Sequence, residues 1–119
     1  MSAQPAYTYV AWLSQGFVSI HDGDTLHCGV DLGCDVSVNM TIRLYGINAP
    51  ELSTPEGKVA KTFVQQWFAY HCPTGGFILQ TIKDRREKYG RYLGIVLSQD
   101  GGNLNDDMVS SGNAVVYLP

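Results

Sequence analysis

The stretch Val36-Ser37-Val38-Asn39-Met40-Thr41-Ile42-Arg43-Leu44-Tyr45 decides the fold. Its apolar residues Val36, Val38, Met40, Ile42 and Leu44 alternate strictly with Ser37, Asn39, Thr41, Arg43 and Tyr45, the period of two that a strand with one buried face requires. Arg43 therefore points away from the core-facing row. Downstream the period changes: between Ser53 and Pro73 the residues Val59, Ala60, Phe63, Val64, Trp67 and Phe68 fall on one helical stripe. Ser53-x-x-Glu56 reads as a capping box, Pro55 sits in the first turn where a missing N–H costs nothing, and Pro73 follows the last turn. Phe63, Trp67 and Tyr70 read as core packing rather than as a platform for stacking bases.

Working outward, further strands are expected from Tyr7 to Leu13 continuing toward Ile20, from Thr25 to Val30, Gly76 to Lys83, Tyr92 to Ser98, and over a short Ala114 to Leu118. Turn signals separate them at Asp22-Gly23, Asp31 to Gly33, Gly75-Gly76 and Asp100-Gly101-Gly102. A second helix is expected from about Asn103 to Ser111, with Asp106 and Asp107 favouring its positive end, Leu104 and Met108 facing inward and Gly112 closing it. The chain carries no internal repeat, low-complexity tract or linker, so residues 1–119 read as a single domain. The expected architecture is mainly β with helices (α+β). It is a five-stranded Greek-key barrel of the OB-fold kind, with a helix between strands 3 and 4 and a short helix before the last strand.

At 119 residues and 45% hydrophobic content, there is apolar material for one core and too little length for two. No apolar run reaches the roughly 18 residues a membrane span needs. The opening Met1-Ser2-Ala3-Gln4-Pro5 lacks the basic segment of a signal peptide, so a cytoplasmic location is expected. Cys28, Cys34 and Cys72 make an odd count without metal-type spacing, which excludes a complete disulfide framework and argues against zinc. The net charge of −3 argues against coating nucleic acid by bulk attraction. The charges are nevertheless segregated: Lys83, Arg85, Arg86, Lys88 and Arg91 crowd together, while Asp22, Asp24, Asp31 and Asp35 gather upstream. Phosphates suit one cluster and a cation the other, although both also read as solvated loops.

Three segments carry chemistry-bearing residues. Asp22-Gly23-Asp24-Thr25 sets two carboxylates beside a flexible glycine at the mouth of a strand, a pair able to ligate a hard cation, although Asp-Gly is also the commonest hairpin turn and taken alone favours that reading. Ile42-Arg43-Leu44-Tyr45-Gly46-Ile47-Asn48-Ala49-Pro50-Glu51 takes an arginine-bearing strand through a glycine kink to a Pro-Glu corner, so that Arg43 and Glu51 either converge on one pocket or form a salt-bridged approach to the helix. Glu87-Lys88-Tyr89-Gly90-Arg91 offers another arginine just before a strand.

Taken together in this order, the three segments resemble the staphylococcal nuclease family, whose pattern reads D-G-D-T, then R-L-x-G-I-[DN]-x-P-E, then D-K-Y-G-R; the resemblance covers roughly residues 15 to 118. It implies calcium-dependent (Ca2+) endonuclease hydrolysis of single-stranded DNA and RNA with little sequence preference, leaving 3′-phosphates. It also implies roles. Asp24, position 48 (here Asn48) and the backbone carbonyl of Ala49 match the calcium ligands; Glu51 matches the residue that orients or activates the attacking water; Arg43 and Arg91 match the phosphate clamp. Lys88 and Tyr89 would contact a flanking phosphate, and Tyr117 would either stack on a base or pack on the barrel. Physics supports this division, because attack on a phosphodiester builds negative charge that a divalent cation and two guanidinium groups neutralise.

The chain departs from the pattern where the family's best-known members carry aspartate and threonine and it carries Asn48 and Ala49. An amide oxygen still ligates calcium, but one fewer carboxylate implies weaker binding and a raised calcium requirement. The hairpin between Asp24 and Arg43 is longer, with Asp31 and Asp35 at its tip as further candidate ligands or none. The sequence ends just after its last strand, where the type enzyme continues into a third helix; a monomer or a weak homodimer is expected. The rival reading is a non-catalytic nucleic-acid- or protein-binding module with a weakened metal site. Retention of Asp24, Arg43, Glu51 and Arg91 argues against it, since a carboxylate at Glu51 would repel a phosphate unless a metal intervened.

Overall fold

The computed structural model of the protein describes residues 7–86 and 90–117. Eight strands and two helices follow in the order β1 (Tyr7–Phe17), β2 (Ile20–Asp22), β3 (Thr25–Gly33), β4 (Val36–Leu44), β5 (Ile47–Asn48), α1 (Pro55–His71), β6 (Gly76–Arg86), β7 (Tyr92–Leu97), α2 (Leu104–Ser110) and β8 (Val115–Val116). The main sheet runs β1-β6-β7-β4-β3-β2, and an additional β1–β3 pairing closes it into a five-stranded barrel of β1, β3, β4, β7 and β6. Every barrel pair is antiparallel except β4–β7, whose parallel register sets Ile42 beside Tyr92 and Arg43 beside Leu93. This is the expected α+β OB-fold barrel. The short last strand β8 lies outside the barrel and pairs with β5 as a separate two-stranded ribbon.

Alternating residues of each strand fill the interior. Ala11, Leu26, Cys28, Val30, Ile42, Leu44, Leu79 and Val96 are each almost fully buried. The buried face of α1, comprising Ala60, Val64, Trp67 and Phe68, joins that core, with α1 packed chiefly on β2 and α2. Phe68, wholly buried, contributes on the order of 1.5–3 kcal/mol by burial. The Trp67 indole N–H donates to Asp107 Oδ2 at 2.8 Å, so a first-turn aspartate of α2 is used to fix α1.

Several details differ from the sequence reading. Val36 and Val38 are exposed because the distal half of the β3–β4 hairpin runs past the core, so the alternating row is buried only toward its Ile42–Leu44 end. Val59 and Tyr70, at the edge of the α1 stripe, are also exposed. The α1 N-cap is Thr54, not Ser53: its Oγ1 accepts the Gly57 N–H at 3.0 Å, which leaves Glu56 outside the capping-box position. The hairpin turn is Cys34-Asp35 rather than Asp31 to Gly33, with positive φ at both residues, as a tight two-residue hairpin turn demands. Asp31 Oδ1 instead accepts the Gly33 N–H at 2.8 Å where the register shifts.

The three cysteines are unpaired. Burial pushes the Cys28 thiol up to about 12 and the Cys72 thiol, with help from Asp100, up to about 11, so both stay protonated and inert. His27 bonds Thr41 and His71 bonds Asp100, which gives both rings structural partners. Among the described residues no helix is long and apolar enough to cross a membrane.

Candidate functional site at one end of the barrel

Antiparallel β3 and β4 place Thr25 opposite Arg43, and the parallel β4–β7 pairing sets the start of β7, and with it Arg91, beside the same end of β4. The tight turn leading into β3 brings Asp24 there as well. A Cβ on Gly23 would lie 2.8 Å from the Ala49 Cβ and 2.9 Å from the Ala60 Cβ, so only glycine lets this turn press against the β5 corner and α1.

Asp24 is the hub. Its Oδ2 accepts the Ala49 N–H at 2.9 Å and lies 3.1 Å from Arg43 Nη1; its Oδ1 accepts the Thr25 hydroxyl at 3.2 Å; and Asp22 Oδ1 accepts the Asp24 N–H at 3.1 Å. Thr25 Oγ1 in turn accepts from Arg91 Nη1 at 3.2 Å. Arg43 extends the network to the β5 corner, its Nη2 donating to Asn48 Oδ1 at 3.1 Å and its Nη1 to the Ile47 carbonyl at 3.1 Å. Burial holds the Asp24 carboxyl above the usual aspartate range, and Asp22 adds to the rise; the Ala49 N–H and Arg43 only partly offset it.

The structure therefore gathers Asp24, Arg43, Asn48, Ala49 and Arg91, with Thr25, into one network. Glu51, exposed, follows three residues after Asn48 in the chain. The Glu51 backbone carbonyl accepts from the Thr54 N–H at 3.0 Å and the Thr54 hydroxyl at 2.7 Å, and a Cβ on Gly57 would strike that same carbonyl. The Pro-Glu corner is thus clamped onto the start of α1, which fixes where the Glu51 side chain leaves the chain. Tyr117 donates its N–H to the Gly46 carbonyl at 2.8 Å, and its exposed side chain stands beside the β5 corner instead of packing in the barrel. Lys88 and Tyr89 lie outside the described residues.

Asp31 and Asp35 do not join this site. Seven residues of strand separate Asp24 from Asp31, about 24 Å at about 3.4 Å per residue, and the hairpin tip lies at the far end of β3. Asn105 is a contributor the sequence reading missed. Buried on α2, it accepts the Val96 N–H at 3.0 Å and donates to the Tyr45 and Gly94 carbonyls at 2.9 and 3.1 Å, which pins the chain entering the β5 corner. Its only sequence signal was a polar residue following an inward-facing leucine.

A family description, Staphylococcal nuclease homologue, matches residues 41–118. The chain belongs to the staphylococcal nuclease family. The matched stretch holds Arg43, Asn48, Ala49, Glu51 and Arg91, while Asp24 enters from outside it through the β3–β4 pairing. Among curated relatives, an "Uncharacterized endonuclease" of Escherichia coli O157:H7 is 33% identical over 100 residues, covering 84% of this chain and 58% of the relative. "Endonuclease YhcR" of Bacillus subtilis (strain 168) is 28% identical over 130 residues, covering 99% of this chain and 10% of that protein. The chain thus spans a little over half the length of the first relative and a tenth of the second.

The family's cation can be tested against the donors present. Asp24 Oδ2 and Asn48 Oδ1 lie 3.1 Å from the two terminal nitrogens of one guanidinium, so they already converge on a single positive charge. With the Ala49 carbonyl they form an all-oxygen set, which fits calcium in kind. Among the described residues no group of three or more His, Cys, Asp or Glu side chains could hold a metal. The protein alone would therefore supply few of the roughly six to eight oxygens calcium takes, leaving the rest to water and substrate.

Proposed function

We propose that the protein is a nuclease: a calcium-dependent phosphodiesterase that hydrolyses single-stranded DNA and RNA with little sequence preference and leaves 3′-phosphates. The observation that carries this reading is the convergence of Arg43 and Arg91 on the Asp24–Thr25 corner.

Asp24, Asn48 and the Ala49 carbonyl would hold the calcium ion, which when bound supplies positive charge against the phosphate oxygens and polarises the scissile group. Arg43 and Arg91 bind the phosphate, since guanidinium groups bond two oxygens at once and stay charged at any working pH. Their hydrogen bonds gain strength as charge builds on the equatorial oxygens in the transition state. Glu51 orients a water for in-line attack and accepts its proton at a carboxylate oxygen. Lys88, Tyr89 and Tyr117 would hold the flanking nucleotides, Tyr117 by stacking. The unpaired cysteines are in keeping with a cytoplasmic setting, and a monomer or weak homodimer is the expected state.

The test is cleavage of a labelled single-stranded DNA across a calcium titration, with chelator and Glu51→Gln as controls. Chelator-sensitive cleavage that is lost in the variant is expected. No cleavage by folded protein at millimolar calcium would transfer the reading to a nucleic-acid-binding module.

A further inference from the structure

The two side-chain oxygens assigned to the cation are both occupied, and by the same group. Arg43 Nη1 lies 3.1 Å from Asp24 Oδ2 and Nη2 3.1 Å from Asn48 Oδ1. Nη1 also donates to the Ile47 carbonyl at 3.1 Å and the Leu44 carbonyl at 3.4 Å. The contact is sheltered, with the Arg43 and Asp24 side chains only 14% and 11% exposed. Nη1 is thus committed inside the protein, although the proposed function requires the guanidinium on a phosphate.

A calcium ion about 2.3–2.6 Å from those oxygens would set a second cation against the guanidinium, so metal and Arg43 compete for Asp24 Oδ2 and Asn48 Oδ1. Burial makes the choice sharper, because both cations compete for one carboxylate out of bulk water and in a low effective dielectric.

Resting on the assignment of Asp24 and Asn48 as metal ligands, we propose that Arg43 is a tethered cation that blocks those ligands in the resting site and is expelled from them by calcium. Metal binding and phosphate binding are then coupled through one side chain. A phosphate that captures Arg43 vacates Asp24 and Asn48 for the metal, and a metal that takes Asp24 and Asn48 releases Arg43 to the phosphate. By linkage the two effects are equal in free energy. The resting site is thereby self-inhibited, with its metal ligands covered and Arg43 turned from the phosphate until one of the two arrives.

The experiment is calorimetric titration of calcium into wild type, Arg43→Gln and Arg43→Lys without nucleic acid, repeated with thymidine 5′-monophosphate as the phosphate probe. Nitrogen-15 spectra of the Arg43 guanidinium in wild type are recorded alongside. Arg43→Gln is expected to bind calcium roughly tenfold tighter than wild type, within the usual range of coupling between linked sites. Arg43→Lys, which keeps the charge but cannot bridge two oxygens, is expected to fall between them. The nucleotide should tighten calcium binding more in wild type than in Arg43→Gln, and the Arg43 resonance should change when calcium saturates the protein. Equal calcium affinity in wild type and both variants, or an Arg43 resonance indifferent to calcium, overturns the inference and leaves the metal site standing. Failure of all three proteins to bind calcium overturns the metal assignment and this inference with it.

Discussion

Replacing Thr25 with valine removes one oxygen and almost nothing else. Valine keeps the branched shape that suits a strand, and Thr25 is 4% exposed, so the new methyl group meets no water. What is lost is a hydroxyl that donates to Asp24 Oδ1 and accepts from Arg91 Nη1, both at 3.2 Å. Hydrogen bonds to charged groups contribute about 1.5–3 kcal/mol each. These two are long, so the lower end applies, and Arg91 and Asp24 keep other partners. The expected loss is about 2 kcal/mol. With a urea m-value of about 2 kcal/mol/M for a small domain, the unfolding midpoint should fall by about 1 M. Thr25→Ser, which restores the hydroxyl without the methyl, should recover most of that. A midpoint shift for valine below about 0.3 M, or a serine variant as unstable as valine, would falsify the reading of Thr25 as the link between the carboxylate and the arginine.

Other outcomes follow from the same structure. Cys34 and Asp35 both take positive φ, a conformation that costs an ordinary residue roughly 1–2 kcal/mol, so Cys34→Asn with Asp35→Gly should raise stability by about 1 kcal/mol and leave cleavage unchanged; an unchanged melting temperature would contradict the turn assignment. The Ser98 hydroxyl and His71 hold the Asp100 carboxyl below its ordinary value of 3.8, and a depressed carboxylate stabilises above its unfolded value and stops doing so as pH falls through the folded one. Melting temperature should accordingly drop more between pH 5 and pH 2 for the parent than for Asp100→Asn, and parallel curves would refute the contact. Asn48→Asp restores a carboxylate to the cation donors and should lower the calcium needed for half-maximal cleavage by roughly tenfold; an unchanged titration would remove position 48 from the ligand set.

The barrel was legible because its signals are local and redundant. Alternation at Val36 to Tyr45 and the 3.6-residue stripe from Ala60 to Phe68 each name an element and its buried face. What stayed hidden depends on where an element ends relative to the core. Val36 and Val38 keep the apolar alternation of a buried strand although the hairpin carries them beyond the barrel, and no pattern within β4 records that limit. The α1 cap failed for a related reason, since Ser53 and Thr54 are chemically equivalent candidates and the clamp at the Glu51 carbonyl chooses between them. In the site, motif order placed Asp24, Arg43, Asn48 and Arg91 together, because strand pairing follows from strand order. The partners inside the site were not legible: the contacts of Arg43 with Asp24 and Asn48 come from the three-dimensional approach of β3, β4 and β5.

On the proposed function, a chain of net charge −3 has to serve an anionic polymer through local charge. Arg43 and Arg91 share one network with Asp22 and Asp24, and Glu51 follows three residues after Asn48, so two positive and three negative groups belong to this stretch of the fold and sum to a formal excess of one negative charge. Such a corner does not draw in a phosphate, and with Arg43 turned inward it presents little of its positive charge. One divalent cation reverses the sign. Had position 48 been aspartate, the same ion would only have brought the corner to neutrality. On the proposed assignment, asparagine at position 48 trades metal affinity for a loaded site that is net positive, which would make calcium a condition for holding the substrate as well as for cleaving it. On this reasoning the affinity of the protein for single-stranded DNA should rise with calcium even in Glu51→Gln, where cleavage no longer obscures binding.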